Sequence, residues 1–341
     1  MSRLPREVVV EARAKLNLWL AIGPRRDDGF HDIATVFQSV TLADTLVARR
    51  TQRGFTLRVR HEQAALNAAR TGRTASAVPA GRDNLVLRAA RLMASELALE
   101  GGASFTLTKR IPVQAGLGGG SADAAAAMVA MLALHGRRLP RARLEGYALQ
   151  LGSDVPFAIR GGTALGMGRG EILTRLLLAT PLHAIVAMPE WRISTADAYA
   201  AHDAVRKRLT LWKQEQRFAA TLVRKRVAAP LLMRRGNGFE RLLGSRRHGF
   251  STLCARLRTA GLQQPRLTGS GSAVFAIVPR GASVQEITGR FSGNELLYEV
   301  RSSGRGLRLR IHASATRPGK GSRAGAPSTS GVSSRRRTRA S

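Results

Sequence analysis

The 341-residue chain carries 55 Lys and Arg against 22 Asp and Glu, a formal net charge of +33, and 44% of its residues are hydrophobic. That apolar fraction is ordinary for a globular protein, and the length allows two domains with cores of their own. Cys254 is the single cysteine, so no internal disulfide can form. The N-terminal residues have no long apolar core of a signal peptide, and no run of about 18 apolar residues could span a bilayer. The expectation is a cytoplasmic protein without a membrane partner.

The charge is unevenly placed. Residues 301–341 hold 11 basic and no acidic side chains, and residues 205–249 hold 13 basic against 2 acidic. Two classes compete on this basis: a nucleic-acid binder, or an enzyme for anionic substrates whose surface is basic. In chain order, residues 7–22 read as a strand, with Val8, Val9 and Val10 followed by alternating Leu16, Leu18 and Leu20. Asp27-Asp28-Gly29 is a turn signal. Residues 33–40, 45–50 and 55–60 read as further strands, the last alternating Phe55, Leu57, Val59 with Thr56, Arg58, Arg60. Residues 63–82 are weakly patterned and read as a loop. Residues 84–99 form a helix candidate with Leu85, Ala89, Leu92 and Met93 on one face, and residues 104–109 a strand. An Ala-rich helix spans 121–135 and a second 141–151. Residues 161–170 are glycine-rich and read as turn. Residues 183–188 open a second domain as a strand, residues 196–205 form a helix, and strand–turn–strand follows at 266–278. Beyond residue 301 the Ser, Gly, Pro and Arg composition is that of a disordered tail.

The strongest local signal is Pro112-Val113-Gln114-Ala115-Gly116-Leu117-Gly118-Gly119-Gly120-Ser121, followed by Ala122 and the Ala-rich helix. Helix N-termini present unpaired N–H groups and partial positive charge, and a loop without side chains lets phosphate oxygens reach them. Ser121 can cap the helix or turn toward a phosphate or a Mg²⁺. The loop has neither the Lys of a Walker A motif nor the spacing of a dinucleotide fingerprint. No His or Cys lies at metal-ligand spacing, so no protein-held metal is expected.

This loop and helix resemble the ATP motif of the GHMP kinases (galactokinase, homoserine kinase, mevalonate kinase and relatives). Ala14-Lys15-Leu16-Asn17-Leu18 and Leu267-Thr268-Gly269-Ser270-Gly271 resemble that superfamily's other motifs, in the same order. The resemblance implies an α+β, two-domain GHMP kinase fold with the active site in the inter-domain cleft. Residues 1–172 would be the ATP-binding domain, 173–300 the second domain and 301–341 the basic tail. Asp28-Gly29-Phe30-His31, Leu151-Gly152-Ser153-Asp154-Val155-Pro156 and Gly170-Glu171-Ile172-Leu173 resemble one branch of the superfamily, which phosphorylates a cytidine-diphosphate-linked sugar alcohol.

Carried over residue by residue, the resemblance implies Asp154 and Lys15 as the catalytic pair, and residues 112–122 with Asn84 as the ATP site. Asn17 and His31 would contact substrate, and Phe30 and Tyr199 would sandwich a cytosine. ATP with its Mg²⁺ and a small alcohol would be the partners of a monomer or homodimer, with no specific nucleic acid. Taken alone, Asp154 before Val-Pro also suits a helix cap, Lys15 a solvated strand lysine, and Lys109 either a nucleotide contact or a strand end. Phe30 stands where the branch usually has Tyr, and Gly238 where it has an acid. The alternatives are a homoserine- or mevalonate-type kinase of the same superfamily, or an RNA binder. Against the last, Trp212 and Phe218 are the only Trp, Tyr or Phe residues inside the mid-chain basic segment before Phe239.

Overall fold

The computed structural model describes residues 4–62, 78–204, 209–223 and 226–311. In chain order the elements are β1 Glu7–Arg25, β2 His31–Thr51, β3 Phe55–His61, α1 Leu85–Glu96, β4 Gly102–Lys109, α2 Gly119–Leu134, α3 Arg141–Leu149 and α4 Val155–Arg160. Then come β5 Thr163–Met167, β6 Ile172–Leu178, β7 His183–Met188, α5 Thr195–Asp203, α6 Leu209–Leu222, β8 Arg226–Val227 and α7 Ala229–Arg235. A 3₁₀ turn Gly238–Leu242 leads to α8 Arg247–Thr259, β9 Gln263–Leu267, β10 Val274–Ile277, α9 Val284–Arg290, β11 Leu296–Arg301 and β12 Leu307–Ile311.

Two sheets organise the chain. The larger runs β12-β1-β2-β5-β6-β8, with β4 added to β2 and β3 to β4; the smaller runs β11-β7-β10-β9. β2 is long enough to serve two neighbours: Thr35 to Gln38 pair with β5, and Thr45 to Thr51 with β4. The segments read from sequence as two strands are therefore one. α2 is buried on almost every side, with Ala124, Ala125, Ala126 and Ala127 all at 0% exposure. Small side chains let it lie against β1, β2 and α1 at the centre of the first core. A middle cluster that includes Leu18, Trp19, Val36, Val186, Phe275 and Val300 takes residues from both sheets and joins them.

Two expectations need correcting. The glycine-rich stretch 161–170 contains β5, because Gly166 lacks the Cβ that would stand 2.7 Å from the Phe37 ring. β6, β8 and β12, which lie beyond the boundary drawn at residue 172, all belong to the larger sheet. The fold does not stop at residue 301. Leu307 to Ile311 pair antiparallel with Ala12 to Val8, Gly306 O accepts from Arg13 N at 2.9 Å, and Ser303 N donates to Ser39 O at 2.7 Å. The rest of the basic tail and most of the 63–82 loop lie outside the described residues.

In the described part of the basic mid-chain segment the aromatic rings pack inward, while most of the basic side chains are exposed. Trp212 is 7% exposed, Phe218 meets Trp19 edge-on at 5.0 Å, and the Arg235 guanidinium lies 4.1 Å over the Phe218 ring while bonding Glu215. Trp212 is core and Phe218 is partly buried against the same cluster, which does not make a stacking platform for bases.

β12 supplies a testable consequence. Relative to a chain ending at Ile311, a chain ending at Gly306 should melt at least about 5 °C lower, since it loses a full strand pairing and exposes β1. Equal melting temperatures would show that β12 adds nothing to the fold.

Candidate active site

A cleft of about 1170 Å³ is lined by Lys15, Asn17, Phe30, His31, Asn84, Asp154, Tyr199, Gly269 and the whole 112–121 loop. The candidate residues read from sequence thus converge on one cavity, apart from Ala122, which is buried in the first turn of α2.

Three distant segments meet at its floor through backbone contacts. Lys15 N donates to Leu117 O at 3.0 Å, and Ala273 N to Ala115 O at 3.1 Å. Gly116 has φ +76°, and a Cβ there would lie 2.1 Å from the Thr268 carbonyl oxygen. Asn17, 2% exposed, locks the same junction: its Oδ1 accepts from Lys15 Nζ at 2.7 Å and Gly269 N at 2.8 Å, and its Nδ2 donates to Thr35 Oγ1 at 2.8 Å. Asn237 holds the other side of that turn, donating to Leu267 O at 2.9 Å and Gly269 O at 2.8 Å. Glu240 accepts from Leu267 N at 3.0 Å. Gly238, between them, has room for little more: a Cβ would meet Ile22 at 3.2 Å.

The loop ends at Gly118, with φ +70°, which is the N-cap of α2 and makes no side-chain cap bond. The first turn of a 16-residue helix therefore points at the cleft without a capping side chain. A Cβ at Gly118 would press on Lys15 Cγ at 3.0 Å and one at Gly119 on Ile111 at 3.0 Å. Behind the loop is an ion cluster. Lys109, 4% exposed, bonds Asp44 and, at 2.7 Å, Asp123. Asp44 Oδ1 accepts from Arg110 N at 2.6 Å and Ile111 N at 2.9 Å, which fixes the corner entering the loop. Burial would lower the Lys109 pKa, but the charges of Asp123 and Asp44 outweigh it and leave it above the ordinary lysine value. Burial raises that of Asp123, whose Oδ1 has no hydrogen-bond partner. Lys109 braces the loop through these two carboxylates and also lines the cleft.

Lys15 Nζ stands 3.7 Å from Asp154 Oδ2 and 5.6 Å from the Phe37 ring centre. Burial pulls the Lys15 pKa below the ordinary lysine value, against the pull of the Asp154 charge. Asp154 sits at the N-cap of α4 but its carboxylate makes no capping bond; it faces the cleft instead. Asn84 is the opposite case: its Oδ1 accepts from Val86 N at 2.9 Å and its Nδ2 donates to Pro79 O at 2.6 Å, so it caps α1.

At the other end, α5 reaches back to the start of β2. Tyr199 stacks on His31 with centroids 4.8 Å apart and planes 18° apart, and His31 Nε2 bonds Asp203 Oδ1 at 2.6 Å. Burial, then the Asp154 charge, pushes the Tyr199 hydroxyl up to about 12. Phe30, 49% exposed, lies under the Arg169 guanidinium at 4.4 Å. Asp203 and Arg169 are cleft residues that local sequence does not reveal. Asp123 had a signal, an acid in a run of alanines.

The fold and this arrangement of motifs define a GHMP kinase. Residues 84–162 match the family described as GHMP kinases N terminal domain. A homoserine kinase structure from Cytophaga hutchinsonii shares the fold at a TM-score of 0.65 and 18% identity, over 91% of this chain and 99% of that one. Nearer relatives narrow the class. A 4-diphosphocytidyl-2-C-methyl-D-erythritol kinase from Pelotomaculum thermopropionicum is 36% identical over 280 residues, covering 82% of this chain and 92% of the relative. Its counterpart from Moorella thermoacetica is 35% identical over 283 residues, covering 83% and 94%. A crystal structure of 4-(cytidine 5'-diphospho)-2C-methyl-D-erythritol kinase superposes at a TM-score of 0.66 with 29% identity, over 86% of this chain and 98% of the other. The chain belongs to the 4-diphosphocytidyl-2-C-methyl-D-erythritol kinase family.

The backbone junction can be tested with two alanines. Gly116→Ala forces apart two segments of the chain in contact and should lower the melting temperature by more than about 5 °C. Gly120→Ala, whose Cβ meets only Leu85 at 3.5 Å, should change it by no more than about 1–2 °C. Similar shifts for both would contradict the packing described here.

Proposed function

We propose that this chain transfers the γ-phosphoryl group of ATP to the 2-hydroxyl of 4-diphosphocytidyl-2-C-methyl-D-erythritol, in isoprenoid precursor synthesis, with Asp154 and Lys15 at the reacting centre. The observation that carries the proposal is the placement of an uncapped helix N-terminus and the Lys15–Asp154 pair, 3.7 Å apart, on one cleft.

The residues present suit a nucleotide. Gly118, Gly119 and Gly120 line the cleft without side chains, and the N–H groups of α2 are suited to phosphate. A nucleotide-borne Mg²⁺, when bound, supplies charge neutralisation on the phosphates. Ser121 and the unpaired Oδ1 of Asp123 are oxygens suited to hold it. In the transfer, the substrate hydroxyl oxygen forms the bond to the γ-phosphorus, the bond to the β-γ bridging oxygen breaks, and the hydroxyl proton passes to Asp154. Lys15 keeps Asp154 ionised and offsets charge building on the transferring group.

At the far end, His31 donates through Nε2 to Asp203 when the imidazole is neutral. Its Nδ1 is then an acceptor, which suits the exocyclic amino group of cytosine. The exposed Phe30 ring offers a stacking face, as does the Tyr199 ring that closes the same wall. A small acceptor such as homoserine has no use for these rings. The single Cys254, buried with its thiol pushed up to about 12 by burial, suits a reducing compartment such as the cytoplasm.

Asp154→Asn should reduce the single-turnover phosphoryl-transfer rate by about 10²–10⁴-fold while both substrates still bind. The wild-type rate should fall at alkaline pH below the ordinary lysine value of about 10.4, because burial favours the neutral form of Lys15. In Asp154→Asn that limb should move lower still, since the charge that holds the proton is gone. A single-turnover rate within about threefold of wild type would remove Asp154 as the base.

A further inference from the structure

His31, His202 and Asp203 come together beside the cleft, with one ligand atom from each lying within 4.8 Å of the others. The sequence conceals this, because His31 and Asp203 are 172 positions apart. His31 Nε2 is 2.6 Å from Asp203 Oδ1, His202 Nδ1 is 4.0 Å from the same oxygen, and the two imidazoles meet edge-on at 5.3 Å between centroids. Two imidazoles and one carboxylate form the donor set of an open zinc-type site, and tetrahedral bonds of about 2.0–2.1 Å would put ligand atoms about 3.3 Å apart. The three donors therefore need shifts on the order of 1 Å to close on an ion. Asp203 is free to make one: it is the last residue of α5 and its side chain is 40% exposed. His31 and Asp203 line the cleft, which leaves a fourth position open to solvent. No ion is required by the transfer chemistry at this cluster, and neither Lys15 nor Asp154 belongs to it.

We infer that His31, His202 and Asp203 form a transition-metal site that, when occupied, turns off recognition of the pyrimidine substrate. The mechanism is a change of tautomer. Without metal, Asp203 accepts the Nε2 proton of neutral His31, and Nδ1 is an acceptor. A metal takes the Nε2 lone pair, so neutral His31 must carry its proton on Nδ1. Nδ1 then donates instead of accepting, and it faces the cytosine amino group with the wrong sense. Metal and base oppose one another, and by linkage each weakens the other by the same factor. The metal site stands on its own geometry; the switching rests on the base-recognition reading given above.

The experiment uses the full chain stripped with chelator, and Co²⁺ as a spectroscopic probe. Wild type should bind one Co²⁺ with the intense visible bands of a four- or five-coordinate ion, and His202→Leu should lose them while keeping its kinase rate. His202 is not among the residues that line the cleft, so its kinase rate separates metal loss from misfolding. Cytidine, which carries no phosphates to chelate metal, should then bind wild type about tenfold more weakly with saturating Zn²⁺ than without, and His202→Leu equally in both. The absence of Co²⁺ bands in wild type, or their survival in His202→Leu, overturns the site. Unchanged cytidine affinity with Zn²⁺ bound overturns the switch. If cytidine fails to bind metal-free wild type, the base-recognition reading and the switch fall together, and the Co²⁺ bands alone decide the metal site.

Discussion

One buried amide holds the site together. Asn17 bonds Lys15, the turn at Gly269 and Thr35 from β2, and these come from parts of the chain far apart in sequence. A buried polar group of this kind is costly to orphan, on the order of 1–3 kcal/mol for each unsatisfied partner. Asn17 therefore does more than join two sheets. It sets the direction of the Lys15 ammonium, and so its distance from Asp154, and it holds the turn against which Gly116 packs. The helix that would receive the phosphates begins directly after that contact. Displacing Asn17 would move the base partner and the phosphate cradle together.

Charge is arranged at two scales that have little to do with one another. The net charge of +33 is carried mainly by arginines, several of the described ones paired, as Arg235 is with Glu215 and Arg160 with Glu145. Inside, the few charges are matched closely: Lys109 against Asp44 and Asp123, and Lys15 against Asp154. The buried lysines differ in consequence. Lys109, with two carboxylates, keeps its proton firmly and acts as a strut. Lys15, with one carboxylate at longer range, sits below the ordinary lysine value and is poised to respond to charge arriving in the cleft. The basic surface gives long-range attraction for anionic substrates, but the interior pairs set what the cleft can do.

How much of this can be read from the chain follows from the range of each interaction. The 116–121 loop and the Asp154 turn are visible because glycines and a Val-Pro step serve local geometry. Lys15 and Asn17 stand out only through their likeness to a known motif; in isolation they are polar residues in a strand. Asp203 and His202 are invisible, because nothing near them in sequence points to His31. β12 is an instructive miss. Leu307, Leu309 and Ile311 alternate with Arg308 and Arg310, a strand pattern, yet the Arg-rich composition of the surrounding tail hides it. The return of β6, β8 and β12 to the larger sheet is missed for a different reason: a boundary drawn along the chain has no way to show strands that return to an earlier sheet.

The most direct test of this account measures ATP affinity in an Asn17→Leu variant without the second substrate. If Asn17 braces the junction of β1, the glycine loop and the Gly269 turn, the variant should bind ATP at least about tenfold more weakly and melt lower than wild type. If Asn17 serves only to touch the acceptor substrate, ATP affinity and melting temperature will stay at wild-type values, and the central claim will be wrong.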